Sequence, residues 1–97
     1  METKKKTKGK EKSYIGYGLL GNNEWRCISR GHWTEDYIRK FAEGDDGKGY
    51  LKVACILYED YSKLYGSLLK FVMLSSEMKK IKPIKIWEKG KLYQQAN

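Results

Sequence analysis

Apolar positions crowd into one stretch of this chain, residues 49–80, GYLKVACILYEDYSKLYGSLLKFVMLSSEMKK, and the rest must be organised around it. Ahead of it, YIGYGLL and WRCIS flank Gly21, Asn22 and Asn23. Glycine and asparagine tolerate positive φ, and aromatic or β-branched residues lie on both sides, so a β-hairpin is expected from about Tyr14. Gly16 and Gly18 interrupt its first strand and point to a bulge or a close backbone approach. Thr34 reads as an N-cap, with Glu35 and Asp36 suited to the positive end of a helix dipole. Tyr37, Ile38 and Phe41 then form the apolar stripe of a short helix ending near Gly44.

Two readings fit the central stretch. In the first, 50–58 is a strand with Leu51, Val53, Cys55 and Leu57 on one face and Lys52, Ala54 and Ile56 on the other. A helix follows from about Asp60, with Tyr61, Leu64, Tyr65, Leu68, Val72 and Ser75 along one side. In the second, the whole stretch is helical, because Val53, Leu57, Tyr61, Leu64, Leu68 and Val72 also keep a helical period. β-branched Val53 and Ile56 lean towards the strand, and Asp60 is an adequate N-cap. Beyond Lys80, Ile81, Pro83, Ile84, Ile86 and Trp87 read as a strand, with Pro83 placing it at an edge or a start. Glu88, Lys89, Gly90 and Lys91 form a hairpin turn, and Leu92, Tyr93 and Gln94 return as its partner. The tail QQAN is expected to fray.

The fold class expected is α+β: one small domain with an N-terminal β-hairpin, two helices and a C-terminal β-hairpin. Ninety-seven residues suit one core, spanning 13–97 after a basic tail at 1–12. In the helical reading, element order over 34–94 and the wing-like EKGKLY resemble a winged helix-turn-helix. That winged-helix-like arrangement would start its recognition helix at Ser62, Lys63, Tyr65, Gly66 and Ser67, and it has no place for the 14–29 hairpin.

Charge changes the picture because it is unevenly placed. The formal net charge is +8. Lys4, Lys5, Lys6, Lys8, Lys10 and Lys12 face only Glu2 and Glu11 in the tail, and Lys79, Lys80, Lys82, Lys85, Lys89 and Lys91 face only Glu88. The whole excess therefore lies at the two ends, a distribution suited to a polyanion partner. Trp87 and Tyr93 fall within the second cluster, where aromatics can stack on bases while lysines meet phosphates. The expectation is a non-enzymatic nucleic-acid-binding protein, for DNA or RNA alike. A solvated, solubilising surface is the plainer account of the charge, and a core role is the plainer account of Trp87.

Other chemistry finds little footing. His32 is the single histidine, set between Gly31 and Trp33 with no evident nucleophile to activate. The acidic pairs at 35–36, 45–46 and 59–60 suit caps and turns before acid–base work. GDDGKGYL imitates part of a calcium loop, but alignment on Gly49 puts Gly44, Lys48 and Cys55 at ligand positions 1, 5 and 12. No metal or cofactor is expected. Cys27 and Cys55 read as reduced, buried thiols, with a bridge between them left open. Without a signal-like apolar run or a bilayer-length segment, a soluble, cytoplasmic protein with no membrane partner is expected. Tyr58, Tyr61 and Tyr65, three and four apart, share a helix face. They are a core face with hydroxyls reaching solvent, or a protein-interaction stripe. The stripe supports the second functional reading, an inhibitor, adaptor, small subunit or homodimer using the 58–72 helix.

Overall fold

The computed structural model describes residues 12–29 and 33–95, with side chains placed through Tyr93. The predicted hairpin forms as β1 (Tyr14–Leu19) and β2 (Glu24–Cys27), paired antiparallel with Tyr17 opposite Cys27. Thr34 caps α1 (Glu35–Glu43), its Oγ1 accepting the Tyr37 N–H at 3.1 Å, and the helix stops at Gly44. A single 3-10 turn, Gly47–Gly49, fills the three-glycine loop. Then come β3 (Lys52–Leu57), α2 (Tyr58–Tyr65), β4 (Val72–Leu74), α3 (Ser75–Ile81), β5 (Lys85–Glu88) and β6 (Lys91–Gln95).

All strands join one antiparallel sheet in the order β4-β2-β1-β3-β5-β6. The strand over Lys52–Leu57 removes the winged-helix-like alternative and confirms the α+β class. Its four central residues, Val53 to Ile56, are all buried, because helices cover both faces of the sheet. Val53, Cys55 and Trp87 pack with Ile38 and Ala42 of α1. Ala54, Ile56, Ile15, Tyr17 and Ile86 pack with Tyr61 of α2 and Met78 and Ile81 of α3. Cys55 and Cys27 belong to opposite faces, which closes the question of a bridge; both thiols are free. Burial pushes the Cys55 thiol up to about 12.

The two β1 glycines serve close approach. A Cβ on Gly18 would stand 2.4 Å from the Tyr50 ring, and one on Gly16 would stand 3.0 Å from Ile28. The C-terminal turn has Lys89 at φ 53° and Gly90 at φ 84°, the two positive φ values of a tight hairpin whose twist matches its strands. The pairing of β5 with β6 shifts register between Ile86 and Trp87. Among the described residues, no helix is long and apolar enough to cross a membrane.

The expected long helix from Asp60 to Ser75 is corrected. Gly66, at φ 77°, ends α2, and its N–H returns to the Ser62 carbonyl. Beyond it, tertiary bonds claim backbone groups that a continued helix would use internally. The buried Tyr61 hydroxyl donates to the Leu68 carbonyl at 2.5 Å and accepts the Lys70 N–H at 2.8 Å. Tyr17 Oη donates to the Lys70 carbonyl at 2.6 Å. The chain then enters β4 against β2 and turns at once into α3, so there are three α-helices rather than two among the described residues.

Burial raises the pKa of both Tyr17 and Tyr61 above the ordinary tyrosine value. The folded state therefore holds these protons more tightly than the unfolded chain does. Their contribution is complete below about pH 10 and drains away as pH rises further. Tyr61→Phe breaks two of the clamps, and its unfolding free energy from urea titration at pH 7 is expected to fall by about 1–3 kcal/mol. In the wild type the urea midpoint is expected to hold up to about pH 10 and to drop above it.

Candidate functional site

The α2/α3 side of the sheet is not fully covered. Between α3 and strands β1, β2, β3, β5 and β6 lies an open cleft of about 660 Å³. Ser75, Met78 and Lys79, at i, i+3 and i+4, are the inner stripe of α3 and line one wall, which Lys82, the residue capping the helix, extends. Leu19, Trp25, Ile86 and Pro83 make the apolar floor, while Lys52 and Tyr93 close the far side. At the hairpin end the polar groups are already committed. Trp25 Nε1 donates to Ser75 Oγ at 3.2 Å, and Ser75 Oγ donates to the Asn23 carbonyl at 3.2 Å.

Besides Asn23 and the Tyr93 hydroxyl, the other polar groups of the cleft are cationic. No carboxylate, histidine or cysteine lines it among the described residues. Lys52, Lys79 and Lys82 have no ion-pair partner among the described residues; Lys52 instead places its ammonium 4.4 Å from the Tyr93 ring centroid. Glu88 stands opposite Lys52 in the β3–β5 register but does not line the cleft. Glu77 is engaged elsewhere, accepting the Leu74 N–H at 2.9 Å and pairing with Lys70 at 2.6 Å, which holds its carboxyl below the usual range.

The α1 side of the sheet is different, because its cations are matched. Arg39 pairs with Asp36 and Glu43, Lys40 with Asp36, and Lys85 with Glu35. Lys85 thus leaves the expected phosphate cluster: side chains alternate along β5, so it faces α1 while Ile86 faces the cleft. Trp87 is corrected too. It is fully buried against α1, with no face left for a base. Lys80 is exposed on α3 away from the cleft lining, and Lys89 and Lys91 are exposed at the hairpin turn. Lys12 is exposed, and Lys4, Lys5, Lys6, Lys8 and Lys10 lie outside the described residues, as does His32.

Of the predicted set, Lys79, Lys82 and Tyr93 come together; Lys52 and Trp25 join them unforeseen. The tyrosine stripe is also corrected. Tyr61 is fully buried, and Tyr58 and Tyr65 are half-buried against it, with ring centroids 6.3 and 5.2 Å away. They form the core face of α2 rather than an accessible stripe.

Lys82 has a further peculiarity. It ends α3 in the left-handed region, φ 60° and ψ 76°, a position usually given to glycine. Such a conformation costs an L-residue about 1–2 kcal/mol. Retained strain at a site lining a cleft is a common companion of function. The chain matches no family model, no curated protein and no solved structure. Lys82→Gly is expected to leave the unfolding free energy unchanged or raised by up to about 1 kcal/mol in a urea titration, since the strain is relieved.

Proposed function

We propose that this is a non-enzymatic nucleic-acid-binding protein whose α3 cleft receives the phosphate backbone of DNA or RNA. The observation that carries the reading is the convergence on one concavity of three lysines, Lys52, Lys79 and Lys82, that have no ion-pair partner and no acidic lining residue among the described residues. Lysine ammonium groups act there as point charges on phosphate oxygens, and each phosphate neutralised releases condensed counterions. The exposed Lys80, Lys89 and Lys91 extend the positive field along the same molecule, and the N-terminal lysines add to it by sequence.

The test is a fluorescence-anisotropy titration against mixed-sequence DNA and RNA at several salt concentrations. Affinity is expected to fall steeply with salt, and Lys79→Ala is expected to reduce the log–log slope by about 0.7–0.9. Lys85→Ala, whose charge is already neutralised by Glu35, is expected to leave the slope unchanged. No binding at low salt, or equal effects of the two variants, would sink the reading.

A second reading keeps the protein-interaction module, on different residues from those first expected. Leu64, Leu68 and Phe71 are 53%, 82% and 78% exposed along and after α2, more apolar surface than a solvated loop requires. They would serve a partner protein or a second copy of the chain. Light scattering is expected to give a dimer mass for the wild type and a monomer mass for Phe71→Ser. A monomer mass for both removes the homodimer.

A further inference from the structure

We infer that the α3 cleft takes an unpaired base, so the ligand is single-stranded nucleic acid rather than duplex. The inference rests on the nucleic-acid reading above and adds to it which structural form of nucleic acid is selected.

Three features carry it. The first is the direction of the charge. Lys79 on α3 and Lys82 at its cap both line the cleft, so their charge belongs to the wall of a concavity. A stiff duplex meets outward-facing lysines with its phosphates, whereas a flexible strand can follow a groove inward. The second is the placement of α3. It is seven residues long and packs onto the sheet through Met78 and Ile81, both buried. The major groove admits an α-helix or a two-stranded β-ribbon, and α3 is a short helix held against the sheet rather than one that projects from it.

The third is the composition of the cleft. Phosphates alone need only charge, yet the floor is apolar, built from Leu19, Pro83 and Ile86, and Tyr93 stands at the rim with 56% of its surface exposed. An aromatic ring beside an apolar floor is a stacking platform for a base. Lys52, lying over the Tyr93 ring, holds that platform and presents a cation to the phosphate next to the stacked base. About 660 Å³ falls within the range of small-ligand sites, so a nucleotide's bulk fits.

The experiment compares four probes with the full chain at one salt concentration: single-stranded DNA and RNA of about 12 nucleotides, a blunt duplex of the same length, and an abasic single strand of the same phosphate count. The single strands are expected to bind about tenfold or more tightly than the duplex or the abasic strand. Tyr93→Ala is expected to erase that preference and Tyr93→Phe to retain it, since the ring and not the hydroxyl stacks. Lys79→Ala is expected to weaken every probe. If duplex or abasic strand binds as tightly as the single strands, or if Tyr93→Ala weakens all probes alike, the inference is overturned while the phosphate contact through Lys79 stands. If no probe binds, the nucleic-acid reading itself falls, and this inference falls with it.

Discussion

Lys70 is the residue on which the second half of the molecule turns. Its N–H donates to Tyr61, its carbonyl accepts from Tyr17, and its ammonium reaches Glu77 while lying 4.8 Å from the Tyr65 ring centroid. These bonds stop the apolar run after Gly66 from continuing as helix and deliver it, extended, to the free side of β2. β4 is only three residues long, yet it decides where α3 begins and which of its faces meets the sheet. Glu77 completes the junction by holding both Lys70 and the Leu74 N–H. Two hydroxyls on buried tyrosines thus set, at one remove, where Lys79 and Lys82 lie beside the sheet. A satisfied polar network of this kind stiffens a core as well as stabilising it.

Much of the architecture was legible in the residues. Thr34, the Gly21–Asn23 turn and the Lys89–Gly90 turn each carry local chemistry that tertiary packing had no reason to overrule. The strand at Lys52–Leu57 was ambiguous for a physical reason: helices cover both faces of the sheet, so its sequence loses the alternation that marks a half-exposed strand. The break at 66–74 was hidden because only Gly66 signals it locally. Its cause lies in side-chain bonds from Tyr61 and from Tyr17, the latter more than fifty positions away in the chain.

The candidate site was legible in part, and its failures share a cause. Lysines were grouped by nearness along the chain, but a strand sends successive side chains to opposite faces. That alternation carries Lys85 to Glu35 and buries Trp87 beneath α1. It also brings Lys52, from a stretch of balanced charge, into the cleft. The first reading had already set Lys52 with Ala54 and Ile56 on one face, so the signal for it was present. What one chain of letters did not hold was the position of α3 over that face.

The order β4-β2-β1-β3-β5-β6 has a consequence for how the molecule assembles. The hairpin formed by the first two strands lies in the middle of the sheet, and each of its outer edges waits for a segment far along the chain. β1 pairs Tyr14 with Leu57, and β2 pairs Glu24 with Leu74, so both closures enclose long loops whose entropy must be lost before pairing stabilises them. Topologies rich in such distant pairings fold slowly for their size. α3 and the groove beside it follow the more distant of the two closures. The cleft therefore depends on a long-range closure, and any molecule that bound only the folded form would draw the folding equilibrium towards it.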